Sequence, residues 1–309
     1  MKKKILLLGL GFCLLAAACN GKKTAKEDEQ PNQTKQEEAD SPEDKTEKPK
    51  ESEDTKKDEQ GTSKEEKEDD SKAAAEKELS KAPEVTFTDY SQDIKDEDNG
   101  VLMLSVMENC PVISIEENQE IAQRMNMVFE QQHVTNQEEI TRKVQEAKDS
   151  YKNLSEEEAA AWAGYGYGMN YKVMYASTRI LSLEAEGYDW QGSAHPNTWT
   201  SSYCFDVTTG DLLYLADILK NEDEARKIVS RHILDTITKD PYKDALLDDY
   251  ESYVPDVLTE NTFYLNEKGL VVICNPYMVT AYVAGKIEVE IPYEALKDVM
   301  NEKYLIGIK

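Results

Sequence analysis

His195 is one of three histidines in this 309-residue chain, and its neighbours could do chemistry with it. The surrounding stretch reads "QGSAHPNTWTSSYCFDVTTGDLLYLADIL", residues 191–219. A hydrolase would use His195 as base, Ser193, Ser201 or Cys204 as nucleophile, and Asp206 to orient the imidazole. Cys204 and Asp206 lie two apart, so on a strand they share a face. No nucleophile elbow is present and no motif supplies an oxyanion hole. The competing role is architectural. Gly192 and Ser193 permit a tight turn, His195 closes it with ring hydrogen bonds, and Pro196 sets the direction of the next strand. A structural or ligand-contact role is the stronger expectation; a cell-wall hydrolase or modifying enzyme centred on His195 is the alternative. Tyr188, Trp190, Trp199, Tyr277 and Tyr282 have two readings as well. They fill a core or sheet face, or they join His195 in offering flat faces to a ligand.

Strands and helices must position these groups. "EVTFTDY" alternates as a strand, Asn99-Gly100 signals a hairpin turn, and "VLMLSVME" returns, with "PVISI" extending it. The acids Asp96 and Asp98 do not make a calcium loop, because the glycine falls at the wrong step and the closing glutamate is missing. Ile121, Met125 and Val128, then Ile140, Val144, Ala147 and Tyr151, recur at helical spacing. Thr135 to Glu138 reads as a capping box, which predicts a break near Val134 and leaves His133 exposed at a helix end. Ser155 to Glu158 repeats the box. Three strands follow, with Tyr171, Val173 and Tyr175, then Leu181, Leu183 and Ala185, then Trp199, Tyr203, Phe205 and Val207 each on one face. "TTGD" turns the chain and "LLYL" pairs back. Asn221 caps a helix whose face is Ala225, Ile228, Val229, Ile233 and Ile237, with His232 packed at its border. The chain closes with strand, turn, strand, strand and short helix. The fold class is α+β: antiparallel sheets packed with a few helices, preceded by a disordered tether.

That tether begins at an export signal. Lys2, Lys3 and Lys4 precede an apolar run from Ile5 to Ala17, too short to span a bilayer. Residues 20–83 hold 14 lysines and 21 acids, no aromatic residue, and Leu79 as the only large aliphatic. Such a stretch cannot bury enough apolar surface to fold. All 17 tyrosines and all three tryptophans fall in residues 84–309, long enough for a proper core. That part keeps 19 basic and 41 acidic residues, a charge near −22, which argues against nucleic acid and favours cationic partners or bare solubility. Cys110, Cys204 and Cys274 lack zinc spacing and read as small buried thiols, so no cofactor or metal is expected.

Three sets of residues resemble known patterns. "LLAAAC" resembles a bacterial lipobox, although Ala16 stands where leucine is usual. The resemblance implies a lipoprotein signal peptide over 1–19, with Cys19 lipidated and the protein anchored on the extracytoplasmic face of the cell membrane. Gly192, Ser193, Ala194, His195, then Asp206, Thr209, Gly210, then Leu215, Asp217 and Ile218 resemble one block of a bacterial envelope domain of unknown function. Asn275-Pro276-Tyr277 and Ile291-Pro292-Tyr293 resemble its second block. That domain occurs in the extracellular part of the lysozyme-sensing anti-sigma-V factor family (RsiV-like) and in the amino-terminal part of a peptidoglycan deacetylase. The resemblance implies 84–190 as the amino-terminal part of the envelope domain and 191–309 as its carboxy-terminal part. It implies a non-catalytic binding module whose ligand is a lysozyme-like cationic protein or a peptidoglycan fragment. Ser193 replaces the family's second glycine. Thr280-Ala281-Tyr282 replaces Ala-Pro-Tyr, which predicts a softer bend there. Sigma-factor control is not expected behind a signal peptide, nor deacetylation in a chain that ends after "IPYEAL".

Overall fold

The computed structural model describes residues 79–307. The expected signal peptide, Cys19 and the expected tether up to residue 78 lie outside them. Leu79, the lone aliphatic of the charged stretch, packs into the core beside Cys110, Ile113 and Ile121.

Among the described residues, seven strands form one sheet: β1 (Glu84–Asp89), β2 (Gln92–Lys95), β3 (Leu102–Ser114), β4 (Tyr165–Ala176), β5 (Ile180–Trp190), β6 (Asn197–Asp206) and β7 (Asp211–Leu212). Their order is β1-β3-β4-β5-β6-β7, with β2 also on β3. The Asn99-Gly100 turn forms as expected, with Gly100 at φ 72°. The strand paired across it is β2, however, because β1 pairs with the far half of β3, Val85 opposite Ile113. The sheet is antiparallel except for β3 and β4, which run parallel. A parallel pair needs a crossover, and helix α1 (Gln119–Lys152), followed by the short α2 (Glu156–Ala160), supplies it.

Helix α1 is continuous, and the predicted break near Val134 does not occur. The Thr135 hydroxyl bonds back to the Gln131 carbonyl instead of capping a new helix. The apolar stripe lapses between Phe129 and Ile140 because the sheet opposite is polar there. Buried Glu108 of β3 accepts from Asn136 at 2.9 Å and contacts His133 Nδ1 at 3.0 Å. His133 is therefore mid-helix and half-buried, stacked on Tyr90 with centroids 4.2 Å apart, and not an exposed helix end. Two turns beyond Asn136, buried Lys143 pairs with Asp189 of β5 at 2.7 Å.

The opposite face of the large sheet is covered only in part. Beyond β7 come α3 (Leu215–Ile218), α4 (Glu222–Ile237) and α5 (Tyr250–Tyr253), then β8 (Phe263–Leu265), β9 (Gly269–Cys274), β10 (Ile287–Pro292) and α6 (Tyr293–Leu296). The last three strands form an antiparallel sheet in the order β10-β9-β8. Asn221 caps α4, and Ala225, Val229, Ile233 and Ile237 bury its face among residues of this small sheet, Ile180 and Cys204. "LLYL" pairs back through Leu212 and the Leu213 N–H, which donates to the Cys204 carbonyl at 2.7 Å, before Tyr214 starts α3. Ser182 and Ser202 seal the two sheets together by donating to the carbonyls of Leu265 and Phe263. The cover stops short of β3, β4 and the His195 end of β6, and a cleft opens there.

Candidate functional site

Alternation fixes what reaches the cleft. On β5 and β6, Leu183, Ala185, Tyr203 and Phe205 point to α1, so Glu184, Glu186, Tyr188, Thr198 and Thr200 point to the small sheet. On β4, "YGYG" sends Tyr167 towards α1 and leaves glycine on the cleft side. A Cβ at Gly166 would come within 2.8 Å of the Tyr188 ring, so that ring lies against the bare backbone of β4. The resulting cleft has a volume of about 900 Å³. One side is sheet, with Met107, Asn170, Glu186 and Tyr188. The other is the 276–286 loop, with Tyr282, Val283 and Lys286.

His195 stands at the rim, exposed. Its ring stacks on Tyr282, with centroids 4.0 Å apart and planes 17° from parallel. Nδ1 lies 2.9 Å from the Pro196 carbonyl. A carbonyl only accepts, so Nδ1 donates, and in the neutral ring Nε2 is left to accept from the Tyr277 hydroxyl at 3.5 Å. The turn beneath is braced by bonds that no motif announced: Ser193 Oγ donates to the His195 carbonyl and Trp190 Nε1 to that of Ser193. Tyr277 adopts φ 68°, a left-handed conformation that costs a bulky residue roughly 1–2 kcal/mol. Its N–H donates to the Thr280 carbonyl, and Asn275 beside it grips the Thr200 backbone N–H and carbonyl at 2.7 and 2.8 Å. The bend at Ala281 is not slack. Its φ of −64° would suit proline, but its N–H donates to the Ala245 carbonyl at 2.7 Å, which proline could not do.

Of the six aromatic and histidine candidates, Tyr188, His195 and Tyr282 present their rings to the cleft, and Trp199 borders it with its indole turned away. Tyr277 touches His195 and Tyr282 from outside it, and Trp190 supports the turn. The Trp199 indole lies where a Cβ on Gly187 would be, 2.0 Å away, and packs on the α1 side. Asn170, Glu186, Thr198 and Lys286 are additions that no motif pointed to; strand alternation could have suggested the first three, while Lys286 lies on the loop before β10.

The charges of the inner wall are tied together. Lys286 Nζ lies 2.7 Å from Glu184, 2.8 Å from Glu288 and 3.3 Å from Glu186. Lys172 lies 2.9 Å from Glu184 and 3.0 Å from Glu186. Burial pushes the Glu184 carboxyl above its ordinary value, and the two lysines only partly offset it. Burial would lower Lys286, but Glu184 and Glu288 outweigh it and hold the ammonium well above its usual range.

The hydrolase arrangement is not assembled. Cys204 lies seven residues along β6 from Asn197, roughly 23 Å. Its buried thiol is pushed up to about 11. Asp206 is buried and accepts from Thr208, the Tyr304 hydroxyl and Lys303. Ser201 lies opposite Ala185 on the α1-facing side. Among the described residues, no group of three or more His, Cys, Asp or Glu side chains is placed to share a metal ion.

Residues 216–294 match the family model described as a protein of unknown function, DUF3298. That segment is therefore similar to a DUF3298 domain. Residues 97–198 match the model described as deacetylase PdaC. A DUF3298 family member from Bacteroides fragilis superposes with a TM-score of 0.58 at 19% identity, over 74% of this chain and 98% of its own. A DUF3298 family protein from Pseudomonas aeruginosa gives 0.48 at 16% identity, over 74% and 97%. The first likeness shows a shared fold. No curated protein matches. The DUF3298 match takes in the 276–286 loop, and the PdaC match ends at Thr198, so both matched segments contribute walls to the cleft.

Proposed function

We propose that this chain is a lipid-anchored cell-surface protein whose folded part binds an envelope or host ligand in the cleft without catalysis. The observation that carries the reading is the rim: His195 stacked on Tyr282, with Tyr277 held against both in a strained conformation. A costly backbone beside an open cleft is the usual mark of a site kept for recognition. Non-catalytic binding is favoured because the ring nitrogens of His195 meet a carbonyl and a phenol, not a nucleophile. A peptidoglycan fragment is the first candidate ligand. A lysozyme-like cationic protein is the second, favoured by the acidic balance of residues 84–309.

Calorimetric titration of the protein with muropeptides and with lysozyme tests the reading. Saturable heat that weakens in Tyr282→Ala is expected; silence with both would remove both ligands. Turnover of cell wall that disappears in His195→Ala would replace the reading with the hydrolase alternative. The anchor rests on the lipobox and is tested separately. Cys19→Ser should release the protein from the membrane fraction and abolish its labelling by radioactive palmitate.

A further inference from the structure

We infer that the cleft is built for an uncharged sugar chain, so that on a peptidoglycan fragment it reads the glycan and not the peptide. This rests on the cleft being the binding site, and it follows from three features of the walls.

The charges are the first. Glu186 and Lys286 are the charged residues that line the cleft, and they lie 3.3 Å apart. Each has further partners of opposite sign, Lys172 for Glu186, and Glu184 and Glu288 for Lys286. A charged ligand would have to compete with partners already in place: half-exposed Glu186 is held by two lysines and the more enclosed Lys286 by three carboxylates. A hydroxyl, by contrast, can bond to a paired carboxylate or ammonium without displacing its partner.

The second is the mixture of flat apolar and neutral polar groups. Tyr188 lies against the glycine backbone of β4, and the Tyr282–His195 stack stands across from it. Asn170, Thr198 and Thr200 are set between them. Sugar rings carry C–H groups on their faces and hydroxyls around their edges, which is the complementary pattern. A volume of about 900 Å³ lies towards the upper end of ligand clefts and takes more than one ring.

The third excludes an extended peptide. Such a ligand is held by backbone bonds to an open strand edge. The edge of β6 at the cleft is closed, since Asn275 takes both backbone groups of Thr200 and the Asn261 carbonyl takes the Ser202 N–H.

Chitotetraose, an uncharged chain of four N-acetylated sugars, is the probe, titrated into the full chain in detergent. Saturable binding is expected, with an affinity nearly the same at about 50 and about 500 mM salt. Tyr282→Leu should weaken it by roughly three- to tenfold. Gly166→Ala should weaken it without touching the sugar, by pushing the Tyr188 ring into the cleft, and the near-isosteric Thr198→Val guards against misfolding of the others. Binding that none of the three variants changes would overturn the inference, because the sugar would then sit elsewhere. So would silence with chitotetraose alongside binding of an isolated stem peptide or of lysozyme that depends on Tyr282; that result would leave the cleft standing as a binding site. Silence with every one of these ligands would remove the cleft reading and the sugar inference together.

Discussion

The two ends of β6 obey the same alternation and meet opposite fates. At the Ser202–Asp206 end, both faces are covered, by α1 on one side and the small sheet on the other. Every group there that looks reactive is occupied: Ser202 donates to Phe263, the Cys204 thiol is enclosed, and Asp206 holds four donors. At the His195–Thr200 end the cover is missing, and the side chains border an open cleft. At the enclosed end the groups with the strongest chemistry are therefore structural, whereas weaker hydrogen-bonders and flat rings border the open cleft. The difference teaches that burial decides what a reactive residue type does.

The sharpest way to break this comparison is at the enclosed end. Asp206→Ala removes the buried acceptor shared by Thr208, Tyr304 and Lys303 and should cost ~3–5 kcal/mol in urea unfolding. A loss near zero would mean that the enclosed end is as tolerant as the open one. Acid should act in the same direction. Burial would raise the Asp206 carboxyl, but Lys303 and Thr208 outweigh it and hold it below the ordinary 3.8. Its contribution is thus present above that value and lost as pH falls through the native one.

Smaller effects follow. Ser202→Ala leaves the Phe263 carbonyl without its donor and should cost ~1–3 kcal/mol. Between the two ends, Glu184 has the opposite sign to Asp206. Its native carboxyl is raised, so the folded state holds the proton more tightly than the unfolded chain and stability declines as pH rises above 4.5. Glu184→Gln should flatten that decline in a series of melts across pH. Cys110 and Cys204 are pushed up to about 11 and Cys274 to about 12, so all three should ignore a thiol reagent near neutral pH until the chain is unfolded. At the open end, His195→Ala should change stability by less than ~1 kcal/mol while weakening ligand binding. A large loss of stability there would erase the distinction between the ends.

Much of this was legible in residue order. The turn at His195 follows from glycine, serine and proline in sequence, and the strand faces of β5 and β6 from simple alternation. Helix α1 was legible except where it was interrupted on paper. His133 and Asn136 break the apolar stripe, and nothing local reveals that Glu108, on a strand before the helix, waits beneath them. The same limit hid half of the site. Tyr188, Trp199, Tyr277 and Tyr282 stand out by type, whereas Asn170, Glu186 and Thr198 look like ordinary surface residues of a strand.

By itself the sequence determined the kinds of element, the position of the turns, the charge balance and the charged stretch that could not supply a core. These depend on neighbours a few residues apart, through backbone preference and periodicity. Only the tertiary structure decided that β3 and β4 run parallel, that Cys204 and Asp206 are enclosed, and that residues from 107 to 286 share one cleft. Those outcomes depend on which surfaces cover which, and covering is a property of segments far apart along the chain.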